Sequence, residues 1–207
     1  MHPGAEVEVF GNLLRSNLRG ICELSAEQLR SLYGHYQILS RWNQVLNLSS
    51  VRDLETAVVR HYCESVFLAV NMPEVALSIA DLGSGGGFPG IPLAAMRPDC
   101  TVTLIEAHQR KAAFLKEATR EYKNVKVIAK RSEQAEGPFD WLVSRAVACE
   151  DVLKSVPKLA RSVALLTSLK DAEGILAVRD VLWAPPLPLP WGQNHILLRG
   201  TVVSRGT

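Results

Sequence analysis

Ser78-Ile79-Ala80-Asp81-Leu82-Gly83-Ser84-Gly85-Gly86-Gly87-Phe88-Pro89-Gly90-Ile91-Pro92-Leu93 is the stretch on which the fold turns. An apolar run closing on an acid reads as a buried strand, and the residues from Gly90 onward read as the start of a helix. The glycines between them let the backbone turn sharply and come close to a ligand where a Cβ would collide. In a parallel sheet such a turn lies at the carboxyl edge of the strands, where ligands bind.

Downstream, strand-like segments at 77–82, 101–106, 125–129, 141–144 and 163–167 alternate with helical ones, notably 109–122 and 151–161. Strands alternating with helices predict βαβ units and a parallel sheet with right-handed crossovers. The tail breaks this rhythm at Pro185, Pro186, Pro188 and Pro190, and 195–199 reads as a closing strand. A proline-rich connection too short for a crossover helix predicts that this last strand is antiparallel.

Upstream, residues 1–70 read as a helical extension of a domain at 71–207. Phe10, Leu13, Leu14, Leu18 and Ile21 recur at helical spacing, with the helix ending near Gly20. Ser25 and Gln28 form a capping box for a helix with Leu29, Leu32, Tyr33, Tyr36, Leu39, Trp42 and Leu46 on one face. After a turn at Asn47-Leu48-Ser49-Ser50, Asp53 caps a third helix with Val59, Cys63, Val66 and Val70 on its apolar side.

The 207 residues, 47% hydrophobic and 21% charged, suit an ordinary globular domain rather than a disordered chain. No apolar run reaches the roughly 20 residues of a membrane span, and Met1-His2-Pro3-Gly4-Ala5-Glu6 lacks the layout of a signal peptide. The expected location is therefore the cytoplasm. Cys22, Cys63, Cys100 and Cys149 form no Cys-x-x-Cys pair and the histidines are scattered, so no metal is expected. The net charge of +2 permits a nucleic-acid partner without requiring one.

Three readings of the glycine-rich turn compete. Gly85-Gly86-Gly87-Phe88-Pro89-Gly90 matches the dinucleotide pattern G-x-G-x-x-G. Against it, Asp81 would repel a pyrophosphate, and Pro89 removes an amide from the phosphate cradle. The same carboxylate suits the ammonium end of S-adenosylmethionine, directly or through water. A turn without a ligand is the third reading, and a P-loop is excluded because no Gly-Lys-Ser/Thr follows. Glu106 ends the second strand where an acid accepts hydrogen bonds from ribose hydroxyls, in either cofactor. Ser132 and Glu133, in the loop after the third strand, are candidates for the adenine edge or simply an exposed polar loop. Arg145, ending the fourth strand, suits a substrate phosphate, the cofactor carboxylate or an ordinary salt bridge.

The chain resembles the bacterial small-subunit ribosomal RNA guanine-N7 methyltransferase G family, also called glucose-inhibited division protein B, from about Tyr36 to Arg199. The resemblance rests on Trp42-Asn43-Gln44-Val45-Leu46-Asn47-Leu48, Val59-Arg60-His61, the 81–93 turn, Arg110-Lys111-Ala112-Ala113-Phe114-Leu115 and Ser144-Arg145-Ala146. It implies a Rossmann-like class I methyltransferase with a mostly parallel seven-stranded α/β sheet, helices on both faces and a helical N-terminal extension. It also implies methylation of N7 of a guanine in the 530-loop region of 16S rRNA. By position, Gly83, Phe88, Ser132, Glu133 and Arg145 match the family's cofactor-binding residues, with Glu106 at the ribose. Asp81 and Gly85 join them on the reading of the turn above, and Arg145 is the residue expected between cofactor and substrate.

The chemistry agrees with what is missing. Guanine N7 carries an unprotonated lone pair, so its methylation needs no general base, and orientation supplies most of the catalysis. Exocyclic amines commonly use an Asn/Asp-Pro-Pro-aromatic motif, but Ser144-Arg145-Ala146-Val147 stands there instead. Cys149 has no neighbours that would make it a nucleophile, and reads as a core residue. Candidate RNA contacts are Arg52, Arg60, His61, Lys130 and Arg131, together with Arg145. The chain departs from the family at Leu166-Thr167-Ser168-Leu169-Lys170, where Leu-Lys-Gly is usual, and at Gln193-Asn194-His195, where an arginine is usual. The expected partner is 16S rRNA or the small subunit, bound by a monomer. The alternatives are a methyltransferase of another RNA or small molecule, and a catalytically silent cofactor- or RNA-binding module.

Overall fold

Side chains along the central strands alternate between two cores, which makes the sheet the middle layer of three. The computed structural model describes residues 3–49, 51, 53–145, 149–192 and 194–203. Its elements run α1 (Pro3–Asn17), α2 (Ala26–Leu46), α3 (Leu54–Ala57), a π-helical turn (Val58–Cys63), α4 (Glu64–Val70), β1 (Ser78–Leu82) and α5 (Gly90–Met96). They continue as β2 (Thr101–Ile105), α6 (Gln109–Ala118), β3 (Val125–Ile128), a 3₁₀ turn (Ser132–Gln134), β4 (Phe139–Arg145) and α7 (Cys149–Leu159). β5 (Ala160–Ser168), α8 (Leu169–Leu176), β6 (Val181–Trp183), β7 (Leu187–Pro188) and β8 (His195–Val202) complete the order.

The strand order is β3-β2-β1-β4-β5-β8-β6, with β7 pairing β8 beside that path. β1 to β5 are parallel, while β8 runs antiparallel to β5 and β6. The mostly parallel α/β sheet and its antiparallel closing strand are therefore as expected, but the sheet has eight strands among the described residues rather than seven, because the short β7 adds to β8 outside the main path. Ile79, Val143, Ala164 and Leu166 face one core, shared with Phe10, Leu14, Leu32, Val66, Ile91 and Phe114 of α1, α2, α4, α5 and α6. Ala80, Leu142, Val163 and Leu165 face the other, under Val152 and Val156 of α7 and Ile175 of α8. Helices cover both faces.

Local chemistry sets the helix ends. The capping box is formed: Ser25 Oγ accepts from the Gln28 amide at 3.1 Å, and Gln28 Oε1 accepts from the Ser25 amide at 2.8 Å. Asp53 Oδ1 accepts from the Thr56 amide at 2.7 Å and opens α3. The third helix is not one uniform α-helix, because the π-helical turn interrupts it. The tail is also richer than expected. Ser168 Oγ accepts from the Asp171 amide at 3.2 Å and starts α8, and β6 and β7 flank the prolines. No helix among the described residues is long and apolar enough to cross a membrane.

Candidate functional site

The register of the parallel strands brings the predicted site to one edge. Leu82 of β1 lies beside Ile105 of β2, which lies beside Ile128 of β3. On the other side, Asp81 pairs with Val143 of β4. The residues following these positions (Gly83, Glu106, Ala129 and Ser144) therefore form a row at the carboxyl edge. The glycine turn stands over its centre.

Within the turn, Gly83 is exposed and Gly85 is half-buried, whereas Ser84, Gly86, Gly87 and Phe88 are buried. Ser84 Oγ donates to Asp81 O at 2.9 Å, and the Gly87 amide donates to Ser84 O at 2.6 Å, so the inner half of the turn is closed by its own hydrogen bonds. Gly87 has a φ of 86°, and a Cβ there would lie 2.5 Å from Ile91 Cδ1. Two open glycines thus sit on a rigid base.

Asp81 lies beneath this turn, not on its open side, with none of its surface accessible. Its Oδ2 accepts from the Gly90 amide at 3.0 Å, at the first turn of α5, and its Oδ1 is buried without a hydrogen-bond partner. Burial pushes the carboxyl up to about 7, against the pull of the Ser84 and Gly90 contacts, while the Glu106 charge adds to the rise. A Cβ on Gly90 would meet Leu104 Cδ2 at 2.3 Å and Asp81 Oδ2 at 2.6 Å, so only glycine lets α5 approach this closely. The sequence reading set Asp81 opposite a cofactor ammonium; the geometry makes it first a strut between β1 and α5.

Glu106, itself largely buried, is the acid bonded directly to the turn. Its Oε2 accepts from the Gly85 amide at 2.9 Å and its Oε1 from the His108 amide at 2.8 Å. Each oxygen retains lone-pair capacity, so the carboxylate can still accept two hydroxyls from a direction fixed in advance. Ser132, half-buried, and Glu133, exposed, follow β3 in the 3₁₀ turn, and Lys158 Nζ donates to Glu133 O at 3.0 Å. Lys130 and Arg131 are exposed on the same loop. Arg52 and the Ala146 and Val147 positions after β4 lie outside the described residues, as does the Cys149 side chain.

Two histidines brace the turn from the helical side. His35 Nε2 lies 3.0 Å from Gly86 O, and its Nδ1 lies 3.0 Å from Tyr62 Oη. A carbonyl only accepts, so Nε2 carries the proton and Nδ1 accepts from the tyrosine hydroxyl. Burial holds His35 down at about 4, so it is neutral at pH 7. Phe88 packs edge-on against His35 and Tyr62, with centroids 5.1 Å apart in each case, and stacks on His61 at 4.7 Å. The family motif at 42–48 supports the same region: Trp42 Nε1 donates to Glu117 at 2.9 Å, Asn43 bonds both the amide and carbonyl of Ser49, and Leu48 O rests against Gly86.

Beside the turn, Arg145 is tied on two sides. Its Nη1 lies 2.6 Å from His61 Nδ1, and its Nε pairs with Glu64 Oε2 at 3.5 Å. Glu64 also pairs with Arg60 Nε at 3.2 Å, and Arg60 Nη2 lies 3.0 Å from His195 Nε2. Burial, then the Arg145 and Arg60 charges, hold His61 down at about 3. Burial also raises the Glu64 carboxyl, against the two arginines, and lowers Arg145. One carboxylate between two guanidiniums leaves a net positive charge. It faces a cavity of about 1220 Å³ between β5, β8, α7 and α8 at the end of β4, lined also by Ser144, Lys154, Thr167, Lys170 and His195.

The predicted cofactor residues Gly83, Gly85, Glu106, Ser132 and Glu133 thus share one open edge, with Phe88 packed behind it. Arg60, His61 and Arg145 form a second group, across the turn from Lys130 and Arg131. His61, expected to meet RNA phosphate, instead points inward as a neutral ring with both nitrogens bonded. His35, Glu64, Asn43 and Ser49 carry no site signal of their own in the sequence. Each reads in sequence as a helix-face or loop residue; only the Trp42-Asn43 and Arg60-His61 motifs hinted at them. Lys170 also lines the cavity. No group of His, Cys, Asp and Glu able to hold a metal occurs among the described residues.

Comparison with known proteins gives this edge a context. The family model described as rRNA small subunit methyltransferase G matches residues 28–174. Proteins named Ribosomal RNA small subunit methyltransferase G are similar to the chain. That of Methylobacillus flagellatus is 43% identical over 60% of this chain and 62% of its own length. That of Leptothrix cholodnii is 36% identical over 68% and 66%, and that of Nitrosomonas europaea 39% identical over 70% of each. The chain thus spans somewhat less than two thirds of the first two relatives. Among solved structures, a SAM-dependent methyltransferase from Aquifex aeolicus has a TM-score of 0.59 at 15% identity, covering 72% of this chain and 93% of that one. A SAM-dependent O-methyltransferase from Thermotoga maritima has a TM-score of 0.57 at 14% identity, covering 82% and 73%. These two likenesses concern the fold alone.

Proposed function

Because the chain belongs to the rRNA small subunit methyltransferase G family, we propose that it transfers a methyl group from S-adenosylmethionine to 16S rRNA, at N7 of a guanine in the 530-loop region. The observation that carries the cofactor half of this reading is the Asp81–Gly90 contact. In a dinucleotide fold the pyrophosphate sits at the N-terminus of the helix after the glycine turn. Here the Gly90 amide at that helix start is already taken by the protein's own carboxylate. An uncharged adenosine on Glu106 and the open glycines avoids the conflict.

S-adenosylmethionine, when bound, supplies an electrophilic methyl group on its sulfonium. The residues present fit it. Glu106, held by the Gly85 and His108 amides, accepts the ribose hydroxyls. Gly83 and Gly85 let the backbone lie close to the ligand, and Ser132 and Glu133 flank the adenine. Asp81 holds the turn in shape from below, and its buried Oδ1 has no hydrogen-bond partner among the described residues. Arg145 stands at the junction with the substrate. Because N7 already offers its lone pair, no residue has to remove a proton, and the burden falls on orientation within the cavity. Arg60, Lys170, Lys130 and Arg131 supply positive charge on either side for the RNA backbone. We further propose that the protein acts as a cytoplasmic monomer, with residues 1–70 as a helical extension of the methyltransferase domain at 71–207.

The test is transfer of tritiated methyl from S-adenosylmethionine to small subunits and naked 16S rRNA from cells lacking the modification, followed by mapping of the labelled nucleotide. Label at a guanine N7 in the 530 loop is the expected result. Label on another RNA or on small molecules only, or cofactor binding without transfer, would overturn it.

A further inference from the structure

We propose that His61 and Glu64 are positioning residues that set the plane of the Arg145 guanidinium at the end of β4. What Arg145 then faces rests on the function proposed above; the clamp itself stands on its own geometry. Arg145 is gripped at two different nitrogens, Nη1 by His61 Nδ1 and Nε by Glu64 Oε2. Two fixed points on a planar fork define its orientation.

The grip by His61 requires a particular state of the ring. A guanidinium only donates, so Nδ1 must be bare, and the single ring proton must sit on Nε2. That nitrogen lies 2.6 Å from Ser49 Oγ, which therefore accepts from it, as it does from the Val51 amide at 3.1 Å. Asn43 pins Ser49 through two backbone contacts, and the ring stacks on Phe88. Rotation of the imidazole would break its bonds to Ser49 and Arg145 and its stacking on Phe88. A neutral acceptor orients the arginine without cancelling its charge, which a second carboxylate would do. The Glu64 amide donates to Val59 O, five residues back, so both residues of the clamp belong to the π-helical turn and its exit. Such turns recur at functional sites because they re-aim side chains.

The test compares His61→Asn, which keeps an acceptor in the place of Nδ1, with His61→Gln, which does not; both lose the ring that stacks on Phe88. With melting temperatures of the two matched, His61→Asn should retain kcat within about threefold while His61→Gln loses about 10- to 100-fold, the scale of a slight misplacement of a reacting group. Glu64→Gln, which keeps shape and removes charge, should lower kcat by about tenfold. A second readout needs no activity: ¹⁵N NMR of the full chain should find the His61 proton on Nε2 alone at neutral pH. In Arg145→Met the ring should titrate at higher pH. Equal losses in the Asn and Gln variants, or a proton on Nδ1 in the native chain, would overturn the clamp. A wild-type chain that methylates no RNA would instead overturn the function proposed above, leaving the NMR result to decide the clamp.

Discussion

The amide of Gly90 donates to Asp81 Oδ2 at 3.0 Å, and no space for a methyl group remains between α5 and the β1 strand that carries this carboxylate. Helix and strand are joined at the point where the cofactor turn closes. Gly90→Ala forces a Cβ into Leu104 and Asp81. Overpacking of this kind costs about 1–3 kcal/mol, and Tm should fall by roughly 2–4 °C for each kcal/mol. Thermal melting followed by circular dichroism measures it, and an unchanged Tm would contradict the packing described.

Asp81 and the buried histidines should tilt stability in opposite directions with pH. A carboxyl raised to about 7 binds more protons in the folded than in the unfolded chain, so its contribution is lost as pH rises from about 4 through 7. Asp81→Asn should abolish that loss and make the ligand-free protein more resistant to urea at pH 8. If the native protein and the variant show the same difference at pH 5 and pH 8, the carboxyl is not perturbed as described.

His35, held down at about 4, behaves in the reverse sense. The unfolded ring takes up a proton near pH 6.5, whereas the folded one resists it, so stability falls as pH drops from 6.5 towards 4. Protonation also removes the acceptor for Tyr62, while the Nε2–H bond to Gly86 O is kept. Replacing His35 by Gln should reduce this acid sensitivity and lower stability at pH 7. Urea unfolding at pH 4.5 and 7 checks both statements.

Glu106→Ala removes the acceptor for two backbone amides and for the proposed ribose contact. S-adenosylmethionine affinity should weaken about tenfold or more, since a hydrogen bond to a charged group contributes about 1.5–3 kcal/mol. Calorimetry reads this directly, and unaltered affinity would remove Glu106 from the proposed site.

Lys130 and Arg131 stand exposed on the β3 side of the turn. Replacing both by alanine should leave Tm within error and reduce the salt dependence of rRNA binding. The slope of log K against log salt should shrink by about 1.5 for two lost phosphate contacts. An unchanged slope would exclude this side of the turn from the RNA footprint.

Much of this architecture was legible because it is written in local chemistry. Ser25 and Gln28 lie three residues apart, Asp53 precedes its helix, and the apolar run at 78–82 ends in glycines; each signal needs only its near neighbours. Glu106 could be found because strand spacing places it. His35 could not, since its partner Gly86 is far along the chain and nothing in an amphipathic helix distinguishes it from a core residue. The π-helical turn was hidden for a related reason: at six residues, Val58–Cys63 is too short to display a period of its own. It determines that His61 looks inward rather than towards RNA. α8 escaped because Ala172 and Ile175 are its buried residues, too few to display a period. β6 and β7 were masked by the surrounding prolines, which occupy an edge of the sheet where a missing amide is tolerated.

The placement of β8 between β5 and β6 has a consequence for biogenesis. A chain emerging from the ribosome builds the glycine turn and Glu106 early, yet until β8 arrives one flank of β5 has no strand to pair with. His195, at the first residue of β8, is also the partner of Arg60. Nascent or prematurely truncated products would therefore carry a nearly finished cofactor cradle beside a raw, aggregation-prone border. Insertion of β8 therefore pairs the open flank of β5 and seats the partner of Arg60 in a single event.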